Sequence, residues 1–134
     1  IYAYAAGFAE TGMTGVATAL GRDSEKRAVA LILDELERIK QDGVTEPELR
    51  RATEQTKSGL LMSLESTSAR MNRLGSALTT LGVCLTPDEV IERYDAVTCE
   101  DVMDLARELF DRERMSFSAV GRVCEPDEYR ALLK

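Results

Sequence analysis

The residues most open to chemistry in this sequence lie between Lys57 and Leu74, in the stretch KSGLLMSLESTSARMNRL. Glu65, Arg70 and Arg73 stand there among Ser63, Ser66, Thr67 and Ser68 at near-helical spacing. A carboxylate and two guanidiniums can pair inside a fold, cap a helix end or touch a partner domain. Glu65 and Arg70 are too far apart for a simple helical rung, so Glu-Ser-Thr-Ser is read as a kink between two helices. The charges would then answer one another or a neighbouring strand. Leu60, Leu61, Met62 and Leu64 ahead of the kink are expected to be buried.

Other groups exclude more than they offer. The chain has no histidine, which removes Ser/His and Cys/His nucleophile pairs, an imidazole base and the common catalytic zinc sites from these residues. Cys84, Cys99 and Cys124 are odd in number and widely spaced, unlike a disulfide framework or a zinc knuckle. They read as free thiols in a reducing, cytoplasmic setting. Asp34, Glu35 and Glu37 splay around a helix axis and form a solvated face, not a metal cluster. Met13, Met62, Met71, Met103 and Met115 are scattered fillers. Gly12 and Gly15 lack the strand-to-helix setting of a phosphate loop. A formal charge of -7, with basic and acidic residues interleaved, argues against nucleic-acid and anionic-lipid partners. The longest apolar run, Ala28 to Leu33, is far short of the ~20 residues of a membrane span.

These side chains need elements to hold them. With 134 residues, one domain with its own core is expected. Ile1 to Phe8 and Met13 to Leu20 alternate as two strands of a hairpin that turns at Gly12. Tyr2, Tyr4 and Phe8 are expected to be partly exposed on its open edge. Asp23 or Ser24 caps a helix with Ala28, Val29, Ile32, Leu36 and Ile39 inward, Asp34 and Arg38 on its wet face, and Gly43 at its exit. Thr45-Glu46-Pro47-Glu48 is a capping box for a second helix whose stripe is Leu49, Ala52, Thr56, Leu60 and Ser63, continuing through the kink to about Gly82. Thr86-Pro87-Asp88-Glu89 and Thr98-Cys99-Glu100-Asp101 open two more helices. Their inward residues are Val90, Ile91 and Tyr94, then Val102, Leu105, Ala106 and Leu109. Met115 to Val123 alternates as a third strand, and Pro126 starts a last helix with Tyr129, Leu132 and Leu133. The order predicts an α+β fold: an antiparallel or mixed sheet covered on one face by several helices, including a long kinked one.

Four motifs in register resemble the carboxy-terminal half of the pitrilysin, insulinase and mitochondrial processing peptidase superfamily. They are Thr11-Gly12-x-x-Gly15, the run from Leu36 to Leu49 around Asp42-Gly43-Val44-Thr45, the stretch from Gly59 to Met71, and Ala96-Val97-Thr98-x-Glu100-Asp101-Val102 with Ala106 and Leu109-Phe110. The resemblance implies that residues 1–134 are a single, amino-terminally shortened second domain of a processing-peptidase-like subunit. It also implies that zinc is bound in the missing amino-terminal half, by an inverted His-x-x-Glu-His helix and a further glutamate, where peptides are cleaved inside a two-half chamber. Partners implied are that half, a second subunit and a peptide substrate. No catalytic, cofactor or metal residue carries over to this chain. The arginine and tyrosine that many such halves offer to substrate would fall near Ala17 and Ser24, which are of the wrong type. The alternative is a scaffold subunit of an inactive branch. Glu65, Arg70 and Arg73 remain the residues expected to make structural or inter-domain contacts.

Overall fold

Two strands and six helices follow one another in the computed structural model, which describes residues 1–8 and 10–133, the Arg22 side chain excepted. Strand β1 (Tyr2–Gly7) and strand β2 (Gly12–Ala17) pair as a hairpin, closed where the Phe8 amide donates to the Thr11 carbonyl at 2.8 Å. Gly12 begins β2 beyond that closure. The Tyr4 ring lies over Gly15, where an added Cβ would come within 2.6 Å of it, so the second strand needs glycine there. Tyr2, Tyr4 and Phe8 are exposed, as expected. The fold is α+β, with its sheet limited to this hairpin among the described residues.

The third strand expected over 115–123 is not formed. A 3-10 turn, Arg112–Arg114, is capped by Asp111, and the residues after it run without ladder pairing. Alternation supplies two faces, but a strand also needs a neighbour to take its amides and carbonyls. Phe117 instead sets its ring against Tyr129, with centroids 4.6 Å apart.

The chain divides into two compact units. The first comprises Ile1–Ala5, Thr14–Gly43 and Glu100–Lys134. Its long helix, α1 (Glu25–Asp42), is entered through a 3-10 turn, Arg22–Ser24, and Ser24 makes no side-chain cap bond, unlike the expected Asp23 or Ser24 cap. The expected stripe is half-buried, and Leu33, beside it, is the buried residue of the helix. On the wet face Arg38 meets Glu35 at 2.6 Å rather than Asp34. Helix α6 (Pro126–Leu133) packs on α1 through the buried Tyr129. Helix α5 (Cys99–Leu109) buries Ala106, and its Arg107 donates to the Lys40 carbonyl at 3.1 Å, a cation at the negative end of α1. Leu105 and Leu109, expected inward, are exposed.

The second unit comprises Ala6–Met13 and Val44–Cys99. Helix α2 (Glu46–Ser63) starts at the Thr45 capping box, where the Thr45 amide and hydroxyl both donate to Glu48, at 2.8 and 2.7 Å. It packs on α4 (Pro87–Asp95), itself opened by the matching Thr86–Glu89 box. The half-buried residues of α2 are Leu49, Thr53, Lys57 and Leu60, so its inner face is turned from the expected Leu49, Ala52, Thr56, Leu60, Ser63 line. Lys57 explains the turn. Its stem runs along the helix pair and its ammonium meets Asp95 at 2.8 Å and Glu54 at 2.7 Å. Thr56 and Ser63 face out and return their hydroxyls to the Ala52 and Leu60 carbonyls. Leu61 and Met62 are 52% and 71% exposed, contrary to their expected burial. Helix α3 (Thr67–Leu81) ends at Gly82, whose left-handed conformation (φ 68°) lets its amide reach the Leu78 carbonyl.

Candidate interaction site at the helix break

The site begins with how the chain changes direction between α2 and α3. The amides of Leu64, Glu65 and Ser66 bond three residues back, tightening the last turn of α2, and the Ser66 hydroxyl then accepts from the Ala69 amide at 3.3 Å. The Glu-Ser-Thr-Ser kink is thus a full break with a new N-cap.

That break leaves carbonyls in need of donors, and the arginines provide them. Arg70 Nε donates to the Leu64 carbonyl at 2.5 Å, while a terminal nitrogen of Arg73 donates to the Leu85 carbonyl at 2.9 Å. Arg70 and Arg73 therefore line one open cavity of about 270 Å³ with Leu64, Leu74 and Pro87. Glu65 is exposed and joins neither arginine in an ion pair among the described residues. The structure brings together two of the three predicted residues; the expected internal pairing is replaced by bonds to main-chain carbonyls. The sequence marks Leu64 only as an apolar core residue and Pro87 only as part of a helix start, and it gives Leu74 no role, so none of the three reads as a cavity wall in advance.

A second cluster was not anticipated. Near the start of α1, the Cys124 thiol donates to Glu25, the Cys124 amide donates to the Tyr129 hydroxyl at 3.1 Å, and Lys26 pairs with Glu128. The bond to Glu25, helped by burial, pushes the Cys124 thiol above its ordinary pKa; burial and the nearby Glu46 do the same to Cys99. Burial raises the Tyr129 phenol as well. Raised thiols stay protonated near neutrality, which makes them poor nucleophiles and poor metal ligands. The three cysteines are unbridged.

The residues present do not fit a zinc centre. Histidine is absent from the sequence, and among the described residues no group of three or more Cys, Asp or Glu side chains could hold a metal ion. No described helix is long and apolar enough to cross a membrane.

No protein-family profile matches the chain. Known proteins do resemble it. The uncharacterized zinc protease YmxG of Bacillus subtilis is 35% identical over 113 residues, 84% of this chain and 28% of the relative. The mitochondrial-processing peptidase subunit beta of Saccharomyces cerevisiae is 30% identical over 122 residues, 88% of this chain and 26% of that subunit. A probable mitochondrial-processing peptidase subunit alpha of Schizosaccharomyces pombe is 37% identical over 101 residues, 75% of this chain and 20% of the relative. The chain thus spans about a quarter of the length of the curated relatives it matches.

Proposed function

Since this chain belongs to the superfamily of pitrilysin-like zinc proteases and processing-peptidase subunits, we propose that it is a non-catalytic, carboxy-terminal portion of a zinc metalloendopeptidase. Zinc and its glutamate base lie in residues outside 1–134, and this portion supplies chamber wall and inter-domain contacts, Glu65, Arg70 and Arg73 among them. Zinc held in those other residues would supply the chemistry for cutting extended peptides or small proteins, and residues 1–134 would help enclose them. The observation that carries the reading is the coincidence of high coverage of this chain with low coverage of its zinc-protease relatives, in a sequence without histidine.

The unbridged thiols favour a reducing, cytoplasmic setting. A second reading is a scaffold subunit of an inactive branch; likeness to proteins named as subunits of a processing peptidase supports a setting with more than one subunit. Both readings give the protein a partner subunit. The intact coding sequence separates them: the first expects a His-x-x-Glu-His helix ahead of Ile1 and chelator-sensitive peptide cleavage by the intact protein. An intact protein with neither would leave the scaffold reading, and chelator-sensitive cleavage by residues 1–134 alone would overturn both.

A further inference from the structure

Helix α3 is turned inside out for a helix that ends at its own fold. Its half-buried residues are Ala69, Arg73 and Ala77, while its large apolar side chains face away: Met71 is 65% exposed, Leu74 48%, Leu78 61% and Leu81 68%. Their spacing of three, four and three residues is that of a coiled-coil seam, which takes another helix as its natural complement. Gly75 sits next to the seam in mid-helix, a position where glycine is destabilising relative to alanine, and nothing lies within 4 Å of where its Cβ would be. No contact within this structure requires glycine there. A second helix pressing closely on the seam would.

Leu74 belongs both to the seam and to the wall of the Arg70–Arg73 cavity, so the apolar ridge runs directly into two guanidiniums. Each keeps N–H groups beyond the one given to a main-chain carbonyl. Neither the cavity wall nor α3 contains an acidic residue, in a chain whose net charge is -7. A second copy of α3 would bring apolar residues but no carboxylate.

We infer that the outer face of α3 docks an amphipathic helix from the remainder of the same polypeptide, whose carboxylate enters the Arg70–Arg73 cavity beside Leu74. The inference rests on the reading of residues 1–134 as part of a longer protein, since relatives extend well beyond the matched quarter. Bidentate guanidinium–carboxylate bonding fixes the docked helix along its axis, and the seam supplies the buried area.

The test uses the intact protein with a photo-crosslinking benzoylphenylalanine in place of Leu78. The expected product is an internal crosslink to a segment outside residues 1–134 with Asp or Glu within one helical turn. No crosslink, a crosslink confined to residues 1–134, or one to a separate chain overturns the inference. Gly75→Leu, placed in open space where glycine is the weaker helix former, should not lower the melting temperature and should cut the yield roughly tenfold by blocking close approach. Arg70→Gln, at the more exposed arginine, should lower the yield by a similar roughly tenfold factor, the loss of one charge-assisted bond. Unchanged yield in either variant also overturns it. Zinc content and cleavage are read separately, so a failed peptidase reading with an intact crosslink, or the reverse, is distinguishable.

Discussion

Arg73 donates from a terminal nitrogen to the carbonyl of Leu85, 2.9 Å away, and so ties the middle of α3 to the chain that leads into α4. The guanidinium is part-buried and its acceptor is main chain, so an uncharged replacement leaves that carbonyl without this donor. Arg73→Ala should destabilise the protein by about 1–3 kcal/mol in urea titrations. Arg73→Lys, which keeps charge but loses the planar fork, should fall between the two. A variant as stable as the parent would show the bond to be incidental.

Leu60 and Leu61 are neighbours on α2 with opposite fates. Leu60 is half-buried and Leu61 faces out, so Leu60→Ala should cost about 1–2 kcal/mol, below the roughly 2–5 of a fully buried leucine, and Leu61→Ala no more than about 0.5. Equal thermal shifts would mean that the face of α2 is wrongly assigned.

Glu89 accepts from both the amide and the hydroxyl of Thr86, which holds its carboxyl below the usual range. A carboxylate with a depressed pKa adds stability above its unfolded value and loses it as pH falls through the folded one. Urea midpoints should therefore decline as pH drops below about 4.5, and Glu89→Gln should decline less steeply over that window. Parallel curves for the two proteins would contradict this.

The Cys124 thiol, hydrogen-bonded to Glu25, should be alkylated by iodoacetamide with a pH midpoint above the ordinary 9.0, and Glu25→Gln should bring that midpoint down. A midpoint at or below 9.0 in the parent protein would rule out the thiol–carboxylate bond in solution.

Local signals in this sequence were legible where one element satisfies its own needs. The Thr45–Glu48 and Thr86–Glu89 boxes and the Gly82 exit close hydrogen bonds within a few residues, so they can be read from spacing, whereas the Glu-Ser-Thr-Ser segment reads only as a kink and is a full break. What depended on a neighbour was not legible. The alternation of Met115 to Val123 is real, but its ladder partner is absent among the described residues, and Phe117 turns to Tyr129 instead. The α2 stripe was misplaced because Lys57 reads as a surface residue until Asp95, on another helix, is seen to receive it. At the helix break the arginines were found by type and spacing. Their acceptors were not, because the carbonyls of Leu64 and Leu85 carry no sequence signature.

On the proposed reading, zinc in the intact protein is held by residues outside 1–134. The most direct measurement is zinc content by mass spectrometry on the intact protein and on residues 1–134, each purified without added metal. About one zinc per intact polypeptide and none on residues 1–134 is the expected result. Stoichiometric zinc on residues 1–134, or an intact protein that binds none, would contradict it.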